Sequence, residues 1–208
     1  MHILCLDLEG VLIPEIWIGV AERTGIEGLR LTTRDIADYD ELMQHRLGLL
    51  AEHDLKLGDI QDVIAGLEPL PGAPEFLAWA RSRMQVAILS DTFYEFAGPL
   101  MAQLEQPFLL CHRLEVDDHD RIVGYRLRQK DPKRMAVRAF RDLRYRIVAA
   151  GDSFNDTSML DEADAGFFFC APEAISRQFP QFPPTDTYAE LQQRIETAVA
   201  SFELPADC

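Results

Sequence analysis

Two carboxylates one residue apart, Asp7 and Glu9 in the stretch LCLDLEGV, stand where a short apolar run ends and Gly10 permits a turn. Further along, the run VAILS gives way to Ser90, Asp91 and Thr92, and VAAGDSFND carries Asp152, Asn155 and Asp156 behind Gly151. Lys133 follows the pair Asp131-Pro132. Together these residue types supply the parts of a phosphoryl-transfer centre: a nucleophile, neutralisation of the phosphoryl oxygens and a proton donor for the leaving alcohol. Asp7 can attack phosphorus to give an aspartyl-phosphate. Glu9 can protonate the departing oxygen and afterwards deprotonate water. Ser90 and the backbone N–H groups after its strand can bind phosphoryl oxygens, with Lys133 balancing the charge. Asp7 and Asp152, brought close together, repel unless a cation lies between them. An all-oxygen ligand set completed by water and phosphate suits Mg²⁺.

Each element has a plainer explanation when taken alone. Asp91 or Thr92 is a good helix cap, Lys133 an ordinary solvated helix lysine, and the Gly151–Asp156 run a glycine turn with caps. Their joint occurrence, in order, each at a strand end or helix start, favours the phosphate site.

These residues need a scaffold that brings strand ends together. The segments HILCL (2–6), VAILS (86–90), FLLCH (108–112), RIVAA (146–150) and GFFFC (166–170) are continuous apolar runs separated by helical patterns. Such runs predict a parallel sheet buried on both faces. Helices are expected at about 73–82, 92–104, 132–143, 155–163 and 186–200, with Asp131 capping a helix that opens on Pro132. Residues 114–127 read as a hairpin-like excursion. Residues 14–70 hold three helically spaced segments and no strand pattern, bounded by Pro14 and the turn Glu68–Gly72. The expectation is an α/β fold: a Rossmann-like, doubly wound parallel sheet with a small helical cap inserted after the first strand. Residues 1–13 and 71–208 then form the catalytic core and 14–70 the cap. Ligands of such sheets bind beyond the carboxyl ends of the strands.

With 48% hydrophobic residues in 208, the chain can fill one core with a small appended domain. Thirty-five acids against 20 bases give a formal charge of −15, which argues against nucleic-acid or anionic-membrane partners. No apolar stretch is long enough to span a bilayer, and no secretory leader is visible. Cys5, Cys111, Cys170 and Cys208 form no C-x-x-C pair. The first three are expected in the core and Cys208 at a frayed terminus, consistent with a reduced, cytoplasmic protein. The histidines have no zinc-like spacing.

The ordered set Asp7-Leu8-Glu9-Gly10-Val11, Ser90-Asp91-Thr92, Lys133 and Gly151–Asp156 resembles the haloacid dehalogenase-type phosphohydrolases. The resemblance implies Mg²⁺ held by the side chains of Asp7 and Asp152 and the backbone carbonyl of Glu9, with Asn155 and Asp156 beside it. Ser90, Asp91, Lys133 and Asn155 would then serve the substrate and its phosphate. Two positions depart from the family pattern. Glu9 replaces the usual aspartate, adding about 1.5 Å of reach, and Val11 replaces a hydroxyl residue. Over nearly the whole chain, including LDLEGVLIPEIW, TTRDIADYD, LRQKDPKR and FPQFP, the sequence is similar to bacterial bifunctional phosphoserine phosphatase/homoserine phosphotransferases. That likeness implies hydrolysis of O-phospho-L-serine, or transfer of its phosphoryl group to homoserine in place of water. It also implies that Glu15 meets the substrate ammonium and Arg46 its carboxylate, for which an arginine fork is well suited. The residues themselves leave Glu15 and Arg46 open as solvated charges.

Two other functions compete. A phosphatase of another small ester, such as a nucleotide or sugar phosphate, would want ring-binding aromatics at the cap, for which Trp17 and Tyr39 are candidates. A receiver-like signalling module phosphorylated on Asp7 would have no use for the acid at Glu9. The sequence does not decide between a monomer and a homodimer.

Overall fold

The computed structural model of the protein describes residues 1–32, 35–36 and 38–203. Cys208 lies outside them. Strand β1 (His2–Leu6) buries Leu4 and Leu6 on one face and Ile3 and Cys5 on the other, the period-2 pattern of a strand covered on both sides. Around it a seven-stranded sheet forms in the order β4-β3-β2-β1-β5-β6-β7. The other strands are β2 (Gln85–Phe93), β3 (Leu109–Val116), β4 (Ile122–Arg126), β5 (Arg146–Gly151), β6 (Ala165–Phe169) and β7 (Pro184–Thr185). All neighbours pair parallel except β3 with β4, which make the antiparallel hairpin expected between 114 and 127. The chain winds outward from β1 in both directions, so the topological switch point lies between β1 and β5.

Between β1 and β2 the described residues are helical: α1 (Ile16–Thr24), a 3₁₀ turn at Glu27–Arg30, α2 (Tyr39–Glu52), α3 (Leu57–Ala65) and α4 (Ala73–Arg81). The first ends on Gly25 at φ 74°, whose N–H returns to the Ala21 carbonyl at 2.8 Å, a left-handed stop that glycine adopts without strain. Leu70 N–H donates to the Leu12 carbonyl at 2.9 Å, so the chain leaves and re-enters the sheet side by side. The remaining helices are α5 (Tyr94–Gln103), α6 (Pro132–Asp142), α7 (Thr157–Glu162), α8 (Glu173–Gln178) and α9 (Tyr188–Glu203). One apolar cluster joins Leu4, Leu6 and Val148 to α1, α4, α5 and α9; the other joins Ile3, Cys5 and Ala149 to α6 and α7.

Several details differ from the sequence expectation. The strand beginning at VAILS does not stop at Ser90 but runs through Ser90-Asp91-Thr92 to Phe93, and α5 starts at Tyr94 rather than 92. Ser90 and Thr92 are buried and Asp91 is only half so, so the strand alternation persists through polar residues. Its pairing with β3 slips between Leu89 and Phe93. The helix expected at 155–163 opens as a 3₁₀ turn (Phe154–Asp156) before α7. Cys170 is exposed, not core: it follows the last residue of β6 with φ 49°, which turns the chain out of the sheet. Cys5 and Cys111 are buried. Helix α8 and the two-residue β7 carry too few periodic positions to be read in advance. Among the described residues no helix is long and apolar enough to cross a membrane.

Candidate active site

Asp7 follows β1 directly, and its N–H donates to the Ala150 carbonyl at 3.0 Å, which keeps it beside the end of β5. Two glycines let the neighbouring carboxylates approach. A Cβ on Gly10 (φ 75°) would overlap the Asp152 carboxylate, and one on Gly151 would overlap that of Asp156. Both positions therefore require glycine for space, and Gly10 also for backbone conformation.

At the centre stands Lys133, in the first turn of α6 and only 3% exposed. Its Nζ lies 2.7 Å from Asp156 Oδ1, 2.9 Å from Asp7 Oδ1 and 3.8 Å from Asp91 Oδ2. Asp156 is also engaged on Oδ2, which accepts from the N–H groups of Asp152 (3.0 Å) and Ser153 (3.1 Å). Burial alone would lower the lysine's proton affinity, but Asp156 and Asp7 raise it well above the ordinary value, so it is an ammonium. One cation among several acids leaves the site net negative. Burial, then Asp156, push Asp7 well above the usual carboxylate range despite Lys133. The same two causes, burial and then Asp156, push Asp152 up to about 7.

Oxygens of Asp7, Asp152 and Asp156 lie within 4.8 Å of one another. Asp156 is engaged on both oxygens, whereas Asp7 is engaged on Oδ1 by Lys133 and the Leu8 N–H. The hard, all-oxygen donors, the excess negative charge and the absence of a Cβ at Gly10 beside Asp152 fit a small divalent cation.

Glu9 is half-buried, and its Oε2 accepts from the Ile16 N–H at the start of α1 at 2.9 Å. Burial, then the charge of Glu15, push its carboxyl up to about 8, with the Ile16 N–H and Arg46 acting in the opposite sense. Glu15 is exposed. Arg46, by contrast, is 8% exposed on α2, with its guanidinium carbon 4.6 Å above the Trp17 ring. One terminal nitrogen donates to the Leu31 carbonyl at 2.9 Å, while its Nε is buried without a partner among the described residues. Burial lowers the Arg46 pKa, with Glu9 the largest opposing charge. The guanidinium thus covers Trp17, the aromatic considered for a ring-shaped substrate. Tyr39 commits its hydroxyl to the Asp91 carbonyl at 3.3 Å and packs edge-on against Tyr125.

Ser90 Oγ accepts from the Thr92 N–H at 3.2 Å, so it lies within the slipped stretch of β2 rather than in a loop beyond it. The Asp91 carboxylate is no cap. Its Oδ2 accepts from Asn155 Nδ2 at 2.7 Å, and its Oδ1 faces Nε2 of buried His112 at 3.5 Å. Burial would raise it, but Lys133 first, then His112 and Asn155, hold it well below the usual carboxylate range. Asn155 in turn accepts from Ser153 Oγ. Asp131 stands at the cap position of α6, yet its side chain does not cap: at φ 48° its Oδ1 accepts instead from Ser158 Oγ at 2.7 Å.

The fold thus brings Asp7, Glu9, Asp91, Lys133, Asp152, Asn155 and Asp156 to one edge, with Ser90 beside them on β2 and Glu15 and Arg46 approaching from the helices after β1. His112 was not singled out from the sequence. Its signal was available: it is the polar end of FLLCH, as Ser90 is the polar end of VAILS.

A family profile described as a haloacid dehalogenase-like hydrolase matches residues 1–164. A Pseudomonas aeruginosa protein named phosphoserine phosphatase ThrH is 66% identical over 193 residues, covering 93% of this chain and 94% of that protein. A phosphoserine phosphatase of Pseudomonas syringae pv. tomato is 65% identical over 193 residues, covering 93% and 81%. Among solved structures, a phospho-aspartyl intermediate analogue of phosphoserine phosphatase superposes with a TM-score of 0.76 at 19% identity, covering 93% of this chain and 98% of that one. A substrate-bound phosphoserine phosphatase complex gives 0.75 at 18% identity, covering 93% and 97%. At those identities the superpositions speak to the fold.

Proposed function

The chain belongs to the haloacid dehalogenase-like hydrolases, and on that basis we propose that it is a Mg²⁺-dependent phosphoserine phosphatase that also passes the phosphoryl group to homoserine. The observation that carries the reaction is the buried Lys133 ammonium 2.9 Å from Asp7 Oδ1, an anion site built against a carboxylate nucleophile. In the first step an Asp7 oxygen bonds to phosphorus, the P–O bond to serine breaks, and the electron pair leaves with the serine oxygen. Glu9 gives that oxygen its proton. In the second step Glu9 takes a proton from water, the water oxygen bonds to phosphorus and the Asp7–P bond breaks. Homoserine hydroxyl in place of water gives phosphohomoserine by the same proton transfer. Lys133 and the Ser90–Thr92 stretch hold the phosphoryl oxygens. Asp7, Asp152 and the Glu9 carbonyl are the oxygens that would hold Mg²⁺, which when bound supplies further charge neutralisation on those oxygens.

Substrate choice falls to the helical segment 14–70, acting as a cap over the core of 1–13 and 71–208. A buried guanidinium whose Nε has no partner among the described residues is a demand for an anion, which the serine α-carboxylate would meet. Glu15 takes the ammonium. With phosphoserine and Mg²⁺, brief exposure should leave a phosphoryl group on Asp7, and Asp7→Asn should leave none. An adduct on a serine, or full turnover after chelation, overturns the reading. Arg46→Ala should lower kcat/KM for phosphoserine about 10- to 150-fold while scarcely changing slow hydrolysis of phosphoethanolamine, which lacks the carboxylate. Equal losses on both would assign Arg46 to packing on Trp17.

A further inference from the structure

A carboxylate in a phosphate site needs a reason to be there, and Asp91 is such a group. It repels the anion that Lys133 and Ser90 are placed to attract. Its neighbours resolve the conflict. Asn155 donates to one oxygen at 2.7 Å and Lys133 lies 3.8 Å from the same oxygen, while the other faces His112. Asp91 therefore ties the end of β2 to the loop after β5 and to the first turn of α6.

His112 is the part of this assembly that the chemistry leaves unused. It is 3% exposed, directly opposite Phe93 in the β2–β3 pairing, with ring centroids 6.3 Å apart. A buried imidazole must satisfy both nitrogens. Nδ1 accepts the Arg128 N–H, just beyond β4, at 3.1 Å, so it carries no proton and the ring proton sits on Nε2. Nε2 lies 3.5 Å from Asp91 Oδ1, the outer edge of hydrogen-bond reach, as is common for site contacts that tighten around a ligand.

We propose that His112 is a positioning residue of the phosphoryl site: held as one neutral tautomer by the Arg128 backbone, it fixes the Asp91 carboxylate, and through it the Asn155 amide and Lys133 ammonium. This rests on the functional reading above. It predicts an asymmetry between two amide substitutions. Glutamine can present a donor near the Nε2 position, whereas asparagine reaches only the Nδ1 position and keeps just the Arg128 contact.

The test measures phosphoserine kinetics and competitive inhibition by inorganic phosphate in both variants, with melting curves as a check on folding. His112→Asn should weaken phosphate inhibition and lower kcat/KM about tenfold, and His112→Gln should restore both to within about threefold. Adding Asp91→Asn to His112→Asn should cost little more than either alone, because both break one chain of contacts. The reverse order, equal losses in both variants or simple additivity with Asp91→Asn would reduce His112 to a hairpin contact and overturn the proposal. Should the variants fail to fold, ¹⁵N spectra of the unsubstituted histidine decide. They should show Nε2 protonated and shifting with Asp91→Asn; a proton on Nδ1, or no response, overturns it. A wild type that neither hydrolyses phosphate esters nor binds inorganic phosphate overturns the functional reading itself. A wild type that does both, with His112→Asn unchanged, overturns the inference alone.

Discussion

Glu9 does different work from its neighbour two residues away because of where its oxygens go. One is spent on the Ile16 N–H, and burial raises the carboxyl to about 8, so near neutral pH it carries a proton to give. On the proposed mechanism Glu9→Gln removes that proton and the later base, yet keeps a group able to accept from Ile16. We expect a 10²- to 10⁴-fold loss on phosphoserine, whose alkoxide needs protonation. Nitrophenyl phosphate, whose phenolate leaves unaided, should still phosphorylate Asp7 and show a burst of about one equivalent followed by near-arrest. Stopped-flow absorbance would reveal it, and a proportional slowing without a burst would remove Glu9 from both proton transfers. That Asp7, Glu9, Lys133 and Asp152 meet at one edge was legible in the sequence, because each sits at a strand end or helix start, where an open α/β sheet brings side chains together. Asp91 was legible as a position but not as a role. Its partners come from β3, α6 and the loop after β5, and no local pattern reports a convergence of three distant segments.

The elements meet through glycine. β5 can bring its loop beneath Lys133 because Gly151 leaves room for the Asp156 carboxylate. In Gly151→Ala the added methyl must displace Asp156 from Lys133 and from the Asp152 and Ser153 amides. The cost should be about 1–3 kcal/mol of stability, the ordinary range for overpacking, but activity should fall more than a hundredfold. Gly48→Ala is the control: Gly48 is on the exposed side of α2 and a Cβ there meets nothing within 4 Å, so it should gain about 0.5–1 kcal/mol with activity unchanged. Thermal melts and turnover on the same preparations check both, and a fully active Gly151→Ala would show that the loop adapts. The sheet and its parallel winding were readable from apolar runs bounded by helical patterns. The ends of those runs were not. Ser90-Asp91-Thr92 has the composition of a turn and the conformation of a strand, because burial on β2 outweighs local preference there. Asp131 has the composition of a cap, and its left-handed backbone turns the carboxylate to Ser158 instead.

At the scale of the molecule, a chain of formal charge −15 concentrates part of its acidity at one buried edge, and that has a cost in the absence of a cation. Asp152 near 7 and Glu9 near 8 bind protons more tightly folded than unfolded. Their contribution is therefore fully present below the ordinary carboxylate range and is lost as pH rises through about 7 to 8. Asp91 acts in the opposite sense, but only at pH values below that window. The metal-free protein should accordingly melt at lower temperature at pH 8.5 than at pH 5.5, and Mg²⁺ should restore more stability at the higher pH. Calorimetry with and without chelator checks this; a Mg²⁺ effect larger at pH 5.5 would contradict the acidic-cluster account. The helices between β1 and β2 offer a different handle on the whole protein. There are only two tryptophans, and one of them, Trp17, lies beneath the Arg46 guanidinium, while Trp79 is on α4 under Arg83. With Trp79→Phe, the remaining indole becomes a single fluorophore whose excited state feels the Arg46 charge. Any carboxylate that docks on that charge should shift its emission, phosphate alone should not, and the enzyme would announce its ligand in light before a single bond is broken.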